Sequence, residues 1–270
     1  MYKIIASDLD GTLLTPEHVI APYSRGVLQQ LHQRGEHFVF ATGRHHVDVA
    51  RIRETVGIPA YMITSNGARV HDADDNLVFA ADVDPEVVHQ LLAICKDDEN
   101  IIIHFYHDEQ WMVSRLNEEL KKFHKDSGFS YKILDLDAPP TDKIVKIFLT
   151  YDDHEYLVEF EKKFNATFGD NASIAFSTPW CLEVMGKGVS KGAALQAVAE
   201  LKGYTLADCI AFGDGMNDKE MLEMAGKGLI MGTAHDRLKN ALPALEIIGD
   251  NKEESVARYL ETHLFDITDR

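Results

Sequence analysis

Tyr2-Lys3-Ile4-Ile5-Ala6-Ser7-Asp8-Leu9-Asp10-Gly11-Thr12 opens the chain with a short apolar strand that runs straight into two carboxylates, a glycine and a hydroxyl. A run of this length, ended by turn residues, reads as a strand buried on both faces, the form found in parallel sheets. Ligands of open α/β sheets bind outside the carboxyl ends of such strands, which is where Asp8 and Asp10 lie. In an extended segment, residues two apart project to the same side, so both carboxylates can face one site while Leu9 packs the other way. Gly11 lets the backbone turn sharply after them. Taken alone, the segment is more often a solvated turn than a site.

The sequence around it decides between those readings. Pro22 to Gln33 carries Val27, Leu28 and Leu31 at helical spacing, with Gly35 as a stop signal. His37–Ala41 reads as a second buried strand, Val47–Val56 as a helix, Tyr61–Thr64 as a third strand and Asn66-Gly67 as a turn. A hairpin of Arg69–His71 and Leu77–Ala80 follows. Alternation of strands and helices in this order predicts an α/β class, a Rossmann-like doubly wound parallel sheet.

From Val83 the pattern changes. A helix to Lys96, strands at Ile101–Tyr106 and Trp111–Ser114, a helix at Asn117–Lys125 and a strand at Val145–Thr150 come next. A helix at Glu155–Phe168 and strands at Ser173–Phe176 and Cys181–Val184 complete an α+β module. After Gly186-Lys187-Gly188 the first pattern resumes, with a helix from Lys191, strands at Cys209–Phe212 and Gly228–Met231, and a helix from Lys219 between them. The expected organisation is a discontinuous core, residues 1–82 and 188–270, interrupted by an inserted domain at 83–187.

Two further strand ends repeat the opening design. Phe40-Ala41-Thr42-Gly43-Arg44 supplies a hydroxyl and free N–H groups, suitable donors to phosphate oxygens. Gly213-Asp214-Gly215-Met216-Asn217-Asp218 supplies two more carboxylates. Four carboxylates converging on one loop rim repel unless a cation neutralises them, and a hard oxygen-ligand site favours Mg²⁺. Lys191, at the start of a helix, adds one positive charge from the same sector. The adjacent His45 and His46 read as solvent-exposed or substrate-side rather than metal-bound, and the aromatics His104, Phe105, Tyr106 and Trp111 of the inserted domain as sheet packing.

Composition excludes several partners. The 270 residues hold 27 Lys and Arg against 44 Asp and Glu, a net charge of −17, which disfavours nucleic acid and anionic membranes. With 45% hydrophobic and 26% charged residues the chain has the composition of a folded protein. Three scattered cysteines form no disulfide framework or zinc motif, and the N-terminus lacks a signal-peptide pattern, so a cytoplasmic location is expected.

Together Asp8-x-Asp10-Gly11-Thr12, Thr42-Gly43-Arg44, Lys191 and Gly213-Asp214-x-x-Asn217-Asp218 resemble the four motifs of the haloacid dehalogenase superfamily, in its Cof-type phosphatase branch. Ser65-Asn66-Gly67-Ala68 is similar to a segment habitual in that branch, and the insertion matches the place of its C2-type cap. Phe40–Val49 and Cys181–Met185 resemble the corresponding segments of enteric bacterial phosphatases acting on pyridoxal phosphate and sugar phosphates. The resemblance implies Mg²⁺-dependent hydrolysis of a small phosphorylated metabolite. Asp8 is then the nucleophile that forms an aspartyl-phosphate, and Asp10 the general acid and base, a role calling for a raised pKa. It further implies a metal held by Asp8, the Asp10 carbonyl and Asp214, with phosphate oxygens held by Leu9, Thr42, Gly43, Lys191 and Asn217. Asp218 supports Lys191 or a metal-bound water, and Arg44, His45 and Glu183, with Cys181 and His46, are the substrate-side candidates. Transfer to a second sugar, as in mutases, and a receiver module phosphorylated on Asp8 without turnover are the other readings. Oligomeric state is not legible.

Overall fold

The computed structural model describes residues 2–117, 120 and 129–265. Among the described residues, strands and helices follow one another as β1 (Ile4–Ser7), α1 (Pro22–Gln33), β2 (His37–Ala41), α2 (His46–Val56), β3 (Ala60–Thr64), β4 (Arg69–His71), β5 (Leu77–Ala80), α3 (Pro85–Cys95), β6 (Ile102–His107), β7 (Gln110–Val113) and β8 (Tyr131–Ile133). Then come β9 (Ile144–Thr150), α4 (His154–Phe168), β10 (Ala172–Thr178), β11 (Cys181–Gly186), α5 (Lys191–Leu201), β12 (Cys209–Gly213), α6 (Lys219–Met224), β13 (Lys227–Ile230), α7 (Asp236–Ala241), β14 (Glu246–Ile247) and α8 (Ser255–Leu260). The chain divides into two compact units, one made of residues up to Val78 together with those from Ser190 on, the other of Phe79–Val189.

The first unit holds an eight-stranded sheet ordered β14-β13-β12-β1-β2-β3-β4-β5. Pairing is parallel from β14 through β3 and antiparallel between β3 and β4. Alternation along the buried strands feeds two apolar layers. Ile5, Phe38, Phe40, Ile210 and Phe212 pack with α1, α2 and α8 on one face, and Ile4, Ala6, Val39, Ala41 and Ala211 pack with α5, α6 and α7 on the other. Truncating one of these buried phenylalanines costs about 3–5 kcal/mol, so the strands are held rigidly in register. Strand order reverses at β1, which has β2 on one side and β12 on the other, and such a switch point opens a crevice at the carboxyl ends of the flanking strands.

The second unit is a six-stranded sheet ordered β10-β11-β9-β6-β7-β8, antiparallel except between β7 and β8. Cross-strand register places Ile103 with Leu149, Phe105 with Ile147 and Leu182 with Leu149 on one face. His104 with Phe148, Tyr106 with Trp111 and Lys146, and Glu183 with Phe148 share the other face. The four aromatics His104, Phe105, Tyr106 and Trp111 are buried, as sheet packing requires. Among the described residues, no helix is long and apolar enough to cross a membrane.

Four elements have no counterpart in the sequence reading: β8, β14, α7 and α8. The two strands are three and two residues long and largely exposed, too short to show a period, and the two helices span six residues each. The helix expected at Asn117–Lys125 lies, but for Asn117 and Leu120, outside the described residues.

Candidate active site

Three loops meet at the switch point because three neighbouring strands end there. The Asp8 amide donates to the Phe212 carbonyl at 3.0 Å, tying the end of β1 to the end of β12. Leu9–Leu13 then makes one wide turn, with Leu9 buried and the Leu14 amide donating to the Leu9 carbonyl at 2.9 Å. Gly11 has φ +77°, and a Cβ there would stand 2.4 Å from Asp214 Oδ2, so the main chain itself closes against that carboxylate. Thr12, buried, donates its hydroxyl to Asp214 Oδ1 at 2.8 Å.

Lys191, the first residue of α5, is wholly buried with its charge. Its Nζ donates to Asp8 Oδ1 at 2.7 Å and to Asp218 Oδ1 at 2.6 Å. The Asp214 and Gly215 amides each donate to Asp218 Oδ2 at 2.9 Å, so both Asp218 oxygens are engaged in fixing Lys191 and the turn. Burial above all pushes the Asp8 carboxyl well above the usual range, the pull of Lys191 being outweighed once Asp218 and Asp214 add their repulsion. Burial also pushes Asp214 up to about 7, with Asp218 reinforcing it. Burial works against the Lys191 ammonium, yet Asp218 and Asp8 hold its pKa above the ordinary lysine value. Among the described residues, one buried cation thus faces three carboxylates, and one oxygen from each lies within 4.8 Å of the others.

That imbalance is the test of whether a metal fits. Hard oxygen donors, buried and short of positive charge, are the environment a divalent cation such as Mg²⁺ prefers. Asp218 is spent on Lys191 and two amides, which leaves Asp8 and Asp214 as the side chains that would hold the ion.

The donors expected to face phosphate are anchored in a second set of turns. Thr42 is buried, its amide donating to the Ile63 carbonyl at 2.8 Å and its Oγ1 accepting from the Arg44 amide at 3.1 Å, with Gly43 between them. The Asn66 amide donates to the Thr42 carbonyl at 3.0 Å, and the Ser65 amide to the Arg44 carbonyl at 2.9 Å. Asn66 Oδ1 accepts from Asn217 Nδ2 at 2.9 Å, which links this turn to the Asp214–Asp218 loop. Gly67 (φ +104°) presses against the carbonyl of Ser190, the N-cap of the Lys191 helix. A Cβ there would lie 2.4 Å from the Ser190 oxygen. Gly67→Ala is therefore expected to destabilise the protein by roughly 2–4 kcal/mol through backbone strain and displacement of α5. Thermal unfolding reads this, and an unchanged melting temperature would show that the two segments can part freely.

Asp10 corrects the sequence reading. Instead of a raised pKa its carboxyl is held well below the usual range: burial raises it, but hydrogen bonds from His18 and Arg44 outweigh that burial. Arg44 Nε donates to Oδ2 at 2.6 Å and Nη2 to Oδ1 at 2.5 Å, while His18 Nδ1 lies 2.8 Å from Oδ1. Arg44, expected on the substrate side, is thus spent on Asp10. His18 escaped the sequence reading altogether, since nothing in Thr15-Pro16-Glu17-His18-Val19 marks it apart from a turn. His45 is also corrected. It is 2% exposed and N-caps α2, its Nδ1 accepting from the Val47 amide at 3.4 Å, so the ring is used structurally. His46, half-buried, lies against both it and His71, with ring centroids 4.4 and 4.6 Å away, instead of standing open to solvent.

In the second unit Glu183 is buried and ion-paired with Lys146 at 2.5 Å. Lys146 Nζ sits 5.0 Å from the Tyr106 ring centroid and 4.7 Å from that of Phe148, a cation held over two aromatic faces. Trp111 Nε1 donates to His104 Nδ1 at 3.3 Å, which makes Nε2 the protonated nitrogen facing Thr150 Oγ1 at 2.9 Å. Burial pushes the Cys181 thiol up to about 12, which keeps it protonated near neutral pH. The signal for Lys146 was present in the sequence as a lone charge inside the apolar strand Ile144-Val145-Lys146-Ile147-Phe148-Leu149.

Known proteins resemble the chain over nearly its whole length. A family model described as haloacid dehalogenase-like hydrolase matches residues 5–260. A relative from Haemophilus influenzae with a provisional phosphatase assignment is 47% identical over 262 residues, 97% of this chain and 96% of its own. The HMP-PP phosphatase of Cronobacter sakazakii is 42% identical over 266 residues, 98% of this chain and 97% of its own. Among solved structures, a haloacid dehalogenase-like hydrolase from B. subtilis aligns with TM-score 0.84 at 26% identity, covering 97% of this chain and 99% of that one. A HAD subclass IIB sugar phosphatase aligns with TM-score 0.83 at 23% identity over 98% and 99%, which speaks for the fold alone.

Proposed function

Since the chain belongs to the haloacid dehalogenase-like hydrolase family and is a phosphatase, we propose that it hydrolyses small phosphate monoesters, pyridoxal 5′-phosphate or sugar phosphates, through an aspartyl-phosphate on Asp8. The observation that carries this reading is the Lys191 bridge. Nζ holds Asp8 Oδ1 at 2.7 Å and is itself fixed by Asp218 Oδ1 at 2.6 Å, which orients the Asp8 carboxylate and supports its use as the nucleophile.

Asp8 attacks phosphorus as the bond to the leaving oxygen breaks, and water then attacks the acyl phosphate and frees inorganic phosphate. Lys191, the Thr42 hydroxyl, the Leu9 and Gly43 amides and the Asn217 amide surround the equatorial oxygens, where charge builds in the transition state. A bound Mg²⁺ supplies charge neutralisation between the nucleophile and the anionic substrate. Asp10, kept ionised by Arg44 and His18, is prepared to take a proton from the attacking water. Its acid role in the first step draws on the substrate, because a phosphate dianion placed beside a carboxyl raises its pKa.

The second unit is proposed as the cap that selects the leaving group, with Glu183 as its candidate residue, and the cytoplasm as the place of action. Phosphate release over a panel of pyridoxal 5′-phosphate, sugar phosphates and HMP-PP, with and without Mg²⁺, tests the reading. Turnover of one or more monoesters is expected. Preference for HMP-PP over every monoester would move the substrate to that of the Cronobacter relative, and stoichiometric phosphorylation without turnover would favour a receiver.

A further inference from the structure

The clamp on Asp10 is asymmetric, and the asymmetry comes from one residue. Arg44 alone approaches the carboxylate as a fork, one donor to each oxygen, and leaves the two oxygens equivalent. His18 adds a second contact at Oδ1, 2.8 Å from its Nδ1. A carboxylate oxygen has two lone-pair sites, so Oδ1 has both taken while Oδ2 keeps one. Among the contacts of the described residues, Oδ2 is the oxygen left able to accept or deliver a proton without first breaking one.

His18 is held for this contact at a cost. It has φ +60°, a left-handed conformation uncommon outside glycine, in a turn closed by the Thr15 amide on the Val19 carbonyl at 2.9 Å and the His18 amide on the Thr15 carbonyl at 2.8 Å. Its side chain is 52% exposed, so core packing does not account for the placement. The contact with Oδ1 uses the tautomer that carries its proton on Nδ1, so Arg44 Nη2, 3.3 Å from the same nitrogen, is its neighbour and not its donor.

We propose that His18 is a positioning residue for Asp10, occupying the second lone pair of Oδ1 and so fixing Oδ2 as the oxygen that exchanges the proton. The inference rests on the phosphatase reading and adds to it a side chain outside the four motifs. Proton delivery matters for a basic alkoxide leaving group and hardly at all for nitrophenolate, which departs without protonation.

The test is steady-state kinetics with Mg²⁺ on a sugar phosphate and on 4-nitrophenyl phosphate, for the unaltered protein, His18→Gly and His18→Asn. Glycine removes the donor while relaxing the left-handed backbone, so folding is preserved. Asparagine tolerates that backbone and places Nδ2 near the position of Nδ1. For His18→Gly, kcat/KM, which reads formation of the aspartyl-phosphate and not its later hydrolysis, is expected to fall about tenfold on the sugar phosphate, a fraction of the full general-acid effect, and to stay within about twofold on 4-nitrophenyl phosphate. His18→Asn should recover most of the loss. Equal losses on both esters, no loss on either, or failure of His18→Asn to recover would overturn the assignment. Absence of turnover by the unaltered protein on both esters would instead overturn the phosphatase reading, and the assignment with it.

Discussion

Asp8→Asn is expected to abolish turnover, by at least about 10⁴-fold in kcat, while leaving the fold intact. The amide is nearly the same size as the carboxylate but does not attack phosphorus, so no covalent intermediate forms. Folding survives for a specific reason. Lys191 keeps Asp218 as its partner at 2.6 Å, and the removed charge is one that burial already disfavours. The metal-free variant should therefore melt no lower than the unaltered protein, because a buried carboxylate has left a site with more negative charge than Lys191 can balance. Measuring kcat together with thermal unfolding separates the two effects. Residual turnover of a few per cent would remove Asp8 as nucleophile, and a large drop in melting temperature would show that the Asp8–Lys191 pair holds the sheet end together.

How far such a site can be read from residues alone depends on whether a side chain's partner is local. β2 and α1 occupy the ranges the apolar pattern implies, because buried strands and amphipathic helices carry their burial in their own spacing. Asp8, Thr42 and Asp214 were legible in the same way: each stands at the end of an apolar strand, and strand order does the rest. The sense of the Asp10 pKa was not, since it is set by Arg44, thirty-four positions on, and by a turn residue whose backbone is left-handed. His45 shows the opposite error. A histidine beside a phosphate-type loop suggested substrate chemistry, whereas the start of α2 needed an acceptor for an orphan amide and the ring supplies one. Lys146 and Glu183 are intermediate: each is a charge in a strand that buries both faces, which announces a partner without saying which one.

Chelation of divalent metal is expected to abolish hydrolysis and to make stability depend on pH in a definable sense. In the folded, metal-free protein Asp214 titrates near 7 against 3.8 for a free side chain, and Asp8 is raised too. A raised carboxyl means that the native state binds the proton more tightly than the unfolded chain. The contribution of Asp214 is therefore fully present below about pH 4 and is lost as pH climbs to about 7, by roughly 4 kcal/mol for a shift of this size, with Asp8 acting in the same sense. At 2–4 °C per kcal/mol for a chain of this length, the chelated protein should lose on the order of 10 °C in melting temperature across that window. Mg²⁺ reverses the balance, because it competes with protons for the same oxygens and binds only the ionised form. Its stabilising effect should be small at pH 5 and grow steadily to pH 8, tracking the same ionisation. Melting curves in chelator and in excess Mg²⁺ at three pH values decide the matter. A Mg²⁺ shift of equal size at all three would mean that the ion binds elsewhere than between Asp8 and Asp214. No shift at pH 8, with hydrolysis intact in chelator, would mean that the carboxylates at the ends of β1 and β12 are neutralised by protons and Lys191 alone.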